Sequence, residues 1–193
     1  MTILRGFAPW IVYAVIAGIS DTSWRWAAVA AVVTGLGLIL DDRRRGIAPD
    51  AQLLEISAVV FFVIVAVVGF VTSNSTFHEY DSALAFGWLA LTAWGSLLIG
   101  RPFTEGIAKR EVPQQYWGSD KFRRINRVIT GAWALAFTLT AIAVWVIYRQ
   151  GVGDTYDAIA QVLGFIAPIS FTNWYKSRAA GAGDTDGAAQ PTT

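Results

Sequence analysis

Five long apolar segments constrain what this chain can fold into. They occupy residues 24–40, 53–71, 83–100, 128–148 and 156–174. Each is close to the roughly 20 residues that an α-helix needs to cross the ~30 Å hydrocarbon core of a membrane. A soluble chain of 193 residues could not comfortably bury five helices that are apolar on every side. The sequence therefore predicts an all-α fold, a polytopic transmembrane helical bundle.

A sixth and shorter apolar segment comes first, at residues 6–20. It lies between Arg5 and Asp21 and has Pro9 near its start. It could form a short sixth span, a half-buried helix or a signal sequence, and the last is the least favoured because the segment offers only a poor cleavage site. We therefore predict 5–6 spans in a transmembrane domain that covers residues 1–176.

Composition supports this class and excludes several kinds of site. Charged residues are 15% of the chain and hydrophobic residues 54%, whereas soluble domains carry about 25% charge. The absence of cysteine excludes disulfides, thiolate metal sites and cysteine nucleophiles. One histidine, His78, is too few for a bis-histidine haem, and weak metal binding beside Glu79 is an alternative that we do not favour. We predict no metal site and no cofactor.

The distribution of basic residues predicts the orientation of the spans. All but two of the 15 Lys and Arg residues fall in loops on one side, and the two exceptions are Arg25 and Arg149. Because cytoplasmic loops carry the excess of Lys and Arg, that side is predicted to be cytoplasmic. The expected location is the bacterial inner membrane, with a cytoplasmic C-terminus. The tail, residues 177–193, is rich in Ala, Gly, Asp and Thr and is predicted to be disordered.

The cytoplasmic loop at residues 101–127 has the highest density of charged and aromatic residues. Pro102 is suited to the first turn of a new helix, and the apolar residues that follow fall on one face until Pro113. This pattern predicts a short amphipathic helix in the membrane interface. Ser119 or Asp120 could then cap a helix that continues into the next span.

Residues of this loop form one candidate interaction or lipid-binding set. Basic side chains near a membrane surface can attract anionic lipids, or the acidic segment of another envelope membrane protein. The alternative, which we favour, is that they only set the topology and anchor the loop at the headgroups. Nothing beyond this basic character suggests a nucleic acid as partner. The candidate residues are Arg101, Trp117, Arg123, Arg124, Asn126 and Arg127.

Few ionisable residues lie inside the apolar segments. Glu55 is about one turn into the segment 53–71, where a carboxylate needs a partner, and Arg101 or Arg127 could supply it. A structural ion pair is favoured here over a transport role, because the sequence places no further carboxylates deeper on facing helices.

The last apolar segment carries polar and small residues three or four positions apart, and therefore on one helix face. The stripe could line a water-filled path with a proline hinge, or it could be a packing face, which we favour. A purely small-residue stripe, Ala27, Ala31 and Gly35, predicts a second packing face. The polar stripe consists of Asp157, Gln161, Gly164, Pro168 and Thr172.

A faint repeat leaves open whether part of the chain is duplicated. Gly46-Ile47-Ala48 recurs sixty residues later as Gly106-Ile107-Ala108, in each case after a segment that ends in a basic loop. A true duplication would predict two helical hairpins of parallel orientation. Chance similarity in an apolar sequence is the alternative.

Several features follow one another in a recognisable order from the end of the segment 83–100 onward. A span ends in a basic residue and proline, a loop with proline and tryptophan follows, and an Asn-containing entry leads into the next span. The residues concerned are Arg101-Pro102, Pro113, Trp117, Ile125-Asn126, Trp133 and Phe137. This order resembles the intracellular septation protein A family of bacterial inner-membrane proteins. The resemblance implies a non-enzymatic role in envelope maintenance near the division or elongation machinery.

We therefore expect a non-enzymatic membrane protein that acts through contacts with lipids or other envelope proteins, with a homo-oligomer left open. A small transporter or channel, with Asp157–Thr172 along its path, is the second hypothesis. An enzyme acting on lipid or quinone is the third, and it would need a cleft that gathers Glu55, Arg101 and Asn126.

Overall fold

The computed structural model describes residues 5–20, 23–72, 80–151 and 153–187, and every regular element in these ranges is helical. Two short 3₁₀ turns, Pro49–Gln52 and Gln114–Tyr116, accompany the α-helices. The all-α prediction is therefore confirmed for the described residues. The α-helices are α1 (Ala8–Ala17), α2 (Trp24–Arg44), α3 (Leu53–Val71), α4 (Asp81–Leu98), α5 (Phe103–Lys109), α6 (Asp120–Gln150) and α7 (Asp154–Gly187).

Three of these helices are long and apolar enough to cross a membrane, namely α2, α3 and α6. A fourth crossing is added if α4 and α5, which meet at an angle of 79°, are counted as one broken span. The doubtful first segment gives only the ten residues of α1. Among the described residues, length and composition thus support a membrane protein, and the count of five or six spans stays a prediction.

The small-residue face of α2 is a packing face, as predicted. Ala27 and Ala31 are fully buried, and α2 packs between α1 and α3. A Cβ on Gly35 would come within 2.6 Å of a methyl group of Val59, so α2 and α3 approach closely there. On the other side of the molecule, α6 packs in the same way between α4 and α7.

An aromatic cluster joins these two groups of helices at the centre of the molecule. Phe7, just before α1, stacks on Trp133 with ring centroids 5.1 Å apart and also contacts the rings of Phe137 and Phe165. Aromatic pairs of this kind add to the stabilisation that burial alone gives. The first helix therefore packs into the core of the protein. The aromatic cluster consists of Phe7, Phe86, Phe103, Trp133, Phe137 and Phe165.

The chain breaks sharply between α4 and α5. Gly100 adopts a positive φ of 75°, which glycine tolerates best, and Pro102 then precedes the new helix. The apolar side chains of α5, including Phe103 and Ile107, are buried against α6 and the turn Pro49–Gln52. The helix predicted for this loop exists, but its apolar face packs against protein instead of facing the membrane interface.

The start of α6 follows one of the two predicted caps. The Ser119 hydroxyl accepts a hydrogen bond from the backbone N–H of Phe122 at 3.2 Å, which satisfies a donor of the first turn. Asp120 is the first helical residue, where its negative charge complements the helix dipole.

The structure bears on two further features of the sequence, the faint repeat and the tail. The triplet 46–48 is outside any helix, whereas 106–108 lies within α5, so the repeated sequence does not repeat its local conformation. Residues 177–187, predicted to be disordered, continue α7 as a helix. This stretch is rich in alanine, the residue with the highest helix propensity.

We expect Gly106→Ala to destabilise the protein, because its Cβ would lie 2.8 Å from the Cα of Ala51. Overpacking of this kind costs about 1–3 kcal/mol. Gly131→Ala, in α6, is the matched control, since no atom lies within 4 Å of the added Cβ and a helical alanine should be neutral or stabilising. Thermal unfolding in detergent measures both; equal melting temperatures for the two variants would contradict the close contact.

Candidate functional site

The first candidate is a buried ion cluster that contains Glu55. One guanidinium nitrogen of Arg110 donates to the Glu55 carboxylate and to the backbone carbonyl of Ala51, both at 2.9 Å. The same nitrogen lies 2.9 Å from the carboxylate of Asp42. The side chain of Glu55 is 2% exposed, that of Arg110 is 6% exposed and that of Asp42 is 0% exposed. The prediction that Arg101 or Arg127 pairs with Glu55 is therefore wrong, because Arg110 forms the ion pair with this carboxylate.

The N-terminal segment joins this cluster. Arg5 approaches the other Asp42 oxygen at 2.9 Å and also pairs with Asp41, which in turn pairs with Arg45. The cluster therefore connects the segment before α1 with the end of α2, the start of α3 and the end of α5. A buried ion pair stabilises little by itself, but removing one partner leaves an uncompensated charge. This arrangement holds helix ends together and has the geometry of a structural site.

The candidate interaction set of the loop divides into exposed and buried residues. Its four arginines, Arg101, Arg123, Arg124 and Arg127, are exposed. Asn126 is only 3% exposed, and its amide donates to the carbonyl of Phe122, one turn earlier, at 2.9 Å. Asn126 is therefore not a surface residue that could contact a partner.

Trp117 is half-buried within the same loop. Its indole N–H donates to the carbonyl of Val112 at 2.8 Å, and the ammonium of Lys109 lies 5.5 Å from its ring centroid. These contacts give Trp117 a role in shaping the loop around α5.

Glu55, Arg101 and Asn126 do not form the cleft that the enzyme hypothesis requires. Arg101 is exposed, whereas Glu55 and Asn126 are buried and bonded to other groups. None of the three lines the large pocket described next.

The large pocket lies toward the C-terminal end of α1, away from the ion cluster, and has a volume of about 970 Å³. Its walls are α1 from Trp10 onward with the three residues that follow it, the start of α4, the end of α6 and the start of α7. Exposed residues such as Ile19 and Gly151 form its rim, so it opens at this end of the bundle. It lies between the two groups of three helices.

Polar groups from three helices meet in the pocket. The Tyr13 hydroxyl of α1 donates to the carboxylate of Asp81 at 2.6 Å, and both side chains are mostly buried. On α7, the amide of Gln161 donates to Asp157 at 2.6 Å and reaches the Ser82 hydroxyl at 3.3 Å. The pocket is therefore an apolar chamber with a small number of positioned hydrogen-bonding groups, which is typical of ligand sites.

The polar stripe of the last segment consequently has two parts. Asp157 and Gln161 line the pocket, as the path hypothesis predicts. The rest is a packing face, as the other hypothesis predicts: a Cβ on Gly164 would lie 2.4 Å from the Thr140 hydroxyl. Further along, the hydroxyl of Thr172 accepts from the indole of Trp133 at 3.0 Å.

The aromatic cluster closes the pocket at its inner end. Phe86 and Phe165 line the pocket with ring centroids 5.4 Å apart, and both rings contact Phe137. Beyond them lie Phe7 and the fully buried Trp133. The cavity thus ends at a packed aromatic layer and does not reach the ion cluster.

Sequence reasoning did not find Trp10, Tyr13, Asp81 or Ser82. Tyr13 and Trp10 lie in the doubtful first segment, and Asp81 and Ser82 precede the third long apolar segment, where polar residues are ordinary boundary signals. Their meeting depends on how α1 packs against α4 and α7, which one sequence does not reveal. His78 and Glu79 lie outside the described residues, within which no cluster of potential metal ligands is found.

No protein-family model, no curated protein and no solved structure matches this chain.

We expect Arg110→Met to destabilise the protein by about 3–5 kcal/mol, because Asp42 and Glu55 would keep buried charges without their partner. Arg101→Met removes a similar but exposed side chain and should change stability by less than about 0.5 kcal/mol. Unfolding in detergent under identical conditions provides the comparison. A loss for Arg110→Met no larger than for Arg101→Met would show that the ion cluster does not hold these helices.

Proposed function

We propose that this chain is a membrane protein that binds a small solute in the pocket between α1, α4, α6 and α7. The pocket itself is the observation that supports this proposal. Its volume of about 970 Å³ lies at the upper end of the range for small-molecule sites, roughly 300–1,000 Å³. Its lining combines apolar side chains with a few polar groups held by mutual hydrogen bonds. We propose binding without chemical conversion, because the polar groups that line the pocket in the described part of the chain are held by hydrogen bonds to one another.

We further propose that the pocket is one half of a transport path. The pocket opens at one end, whereas the aromatic cluster and the ion cluster close the other. A protein that exposes its site alternately to the two sides needs this asymmetry in each of its two states. Pro168 lies inside α7, on the inner side of the pocket, and proline is the commonest cause of a bend in a helix. A change in that bend would move Asp157 and Gln161 relative to the other walls.

The proposed topology places the pocket mouth outside the cytoplasm. The basic loops lie at the end of the bundle that holds the ion cluster, and an excess of Lys and Arg is typical of the cytoplasmic side. Five or six crossings of a bacterial inner membrane, with the C-terminus in the cytoplasm, complete this part of the proposal.

A second candidate function concerns the exposed arginines of the loop. Four guanidinium groups, at 101, 123, 124 and 127, face outward at the proposed cytoplasmic surface. Such groups attract anionic lipids or an acidic segment of another envelope protein, and the resemblance to the septation protein A family implies a role in envelope maintenance. This role needs no pocket and could exist beside the first.

Accessibility of introduced cysteines tests the pocket, and the chain offers a clean background because it has no cysteine. We expect Ala85→Cys, in the pocket wall, to react with a membrane-impermeant maleimide added to right-side-out spheroplasts. Leu91→Cys, on the exposed apolar face of α4, and Ala134→Cys, fully buried in the core, should not react. Mass spectrometry of the purified protein gives the labelled fraction.

Each other pattern of labelling contradicts a part of the proposal. Labelling of Ala85→Cys only after the membrane is opened would reverse the proposed orientation. Protection of Ala85→Cys in both cases, as complete as that of Ala134→Cys, would show that no water-filled pocket exists.

The second candidate function predicts retained anionic lipid. Replacing Arg123, Arg124 and Arg127 by Gln should lower the amount of phosphatidylglycerol that copurifies, because each basic residue near the surface contributes about 1 kcal/mol to the attraction. Arg149→Gln, exposed at the other end, is the control and should retain the native amount. Equal lipid content in all samples would leave these arginines with a topological role alone.

A further inference from the structure

We propose that the solute of this pocket is an uncharged, largely apolar molecule with an acceptor oxygen that bonds to the indole N–H of Trp10. This inference rests on the proposed function and specifies its substrate class. It follows from three features of the lining: its apolar and aromatic surface, the hydrogen bonds that already join its polar side chains, and one buried donor without a partner.

Apolar and aromatic side chains make up most of the pocket lining. At the inner end the rings of Phe86 and Phe165 lie with centroids 5.4 Å apart, and Leu89 and Val144 are among the other lining residues. An apolar solute is transferred favourably from water to such a surface, in proportion to the area that is covered. A ring-containing solute gains further, because aromatic rings pack edge-to-face or offset against one another. The aromatic lining residues are Trp10, Tyr13, Phe86, Tyr148 and Phe165.

The polar side chains of the lining already have partners. Asp81 accepts a hydrogen bond from Tyr13, and Asp157 accepts one from Gln161, which also reaches Ser82. Both carboxylates take part in further interactions as well. A cationic group on the solute would have to displace these partners, and an anionic group would find no Lys or Arg in the lining within the described part of the chain. Since a charge that is buried without a partner is costly, an uncharged solute suits the pocket best.

Trp10 is the lining residue that offers a hydrogen bond to the solute. It is 6% exposed, and its ring stacks on Phe61 with centroids 5.1 Å apart. The indole N–H groups of Trp88 and Trp133 donate to Ser or Thr hydroxyls of the protein, whereas that of Trp10 is buried and has no partner among the described residues. Because a buried donor without a partner is destabilising, a carbonyl or hydroxyl oxygen on the solute that bonds to this N–H strengthens binding.

Four probes with the same ring skeleton test the charge and the acceptor of the solute. They are 1-indanone, which has a carbonyl oxygen, indane, which lacks it, the cation of 1-aminoindane and the anion indane-1-carboxylate. The protein carries the Ala85→Cys reporter in nanodiscs, and the readout is the rate of alkylation by iodoacetamide, a small neutral reagent. We expect 1-indanone to slow alkylation at about one fifth of the indane concentration that does so, since it adds one hydrogen bond. The two ions should have no effect at that concentration.

A second reporter separates protection from effects on the reagent or the lipid. Asp120→Cys is exposed at the other end of α6, far from the pocket. Its alkylation rate should not respond to any of the four probes.

Replacement of Trp10 tests whether its N–H is the donor. The amino acid 3-benzothienylalanine, incorporated by nonsense suppression, has the shape of tryptophan but carries sulfur in place of the indole N–H. In place of Trp10 it should raise the protecting concentration of 1-indanone to that of indane and leave protection by indane unchanged. The same replacement of Trp26, which is 62% exposed on α2, is the matched control and should change neither. An unaltered alkylation rate without probe shows that the pocket is intact in both variants.

The outcomes separate this inference from the proposed function. Protection by either ion at or below the effective concentration of 1-indanone, or alkylation that no probe slows, would overturn the uncharged solute while leaving a water-filled pocket. Equal protection by indane and 1-indanone, or a difference between them that survives the replacement of Trp10, would overturn the bond to Trp10. A reporter cysteine that never reacts would instead remove the pocket, and with it the proposed function.

Discussion

Arg110 is the residue on which the arrangement of helix ends at the basic side depends. Its buried guanidinium contacts two carboxylates and a backbone carbonyl from α2, α3 and the turn between them, while its own position ends α5. Because α5 continues into the loop before α6, the same contacts fix where the long sixth helix begins. Arg5 extends the cluster to the segment before α1, and Phe7, two residues later, enters the aromatic cluster. The short segment from Arg5 to Phe7 thus connects the ion cluster at the basic side with the aromatic cluster in the apolar core.

Helix positions followed from the sequence far better than contacts did. The apolar segment 53–71 coincides with α3, and the other long segments lie within helices or differ by two to four residues at an end, because segment length and hydropathy are local properties. The Ser119 cap and the small-residue face of α2 are local patterns as well. The partner of Glu55, in contrast, is Arg110, which is far from it in the sequence. Arg101 and Arg127 flank membrane segments and were reasonable partners, but the bend at Gly100 turns α5 back against the 3₁₀ turn and brings Arg110 to Glu55 instead.

The polar stripe of α7 shows the same limit within one helix. Spacing of three and four residues established that Asp157, Gln161, Gly164 and Thr172 share a face, and it left packing and a water path as alternatives. The structure contains both, because the outer half of that face borders the pocket, whereas Thr140 and Trp133 cover the inner half. A sequence pattern gives the direction in which side chains point, and the neighbouring helices determine what they meet.

The shortness of α1 has an electrical consequence. Ten residues of helix measure about 15 Å, half of a ~30 Å hydrocarbon core, and the pocket runs along most of that length. If the outer solution fills the pocket, the membrane voltage falls mainly across the remaining half, through the aromatic cluster. The local field there is then about twice that of an undisturbed bilayer of the same voltage. A monovalent ion that crosses the aromatic cluster would gain or lose nearly all of the energy of a full membrane crossing, about 2.3 kcal/mol per 100 mV, over half the thickness of the hydrocarbon core.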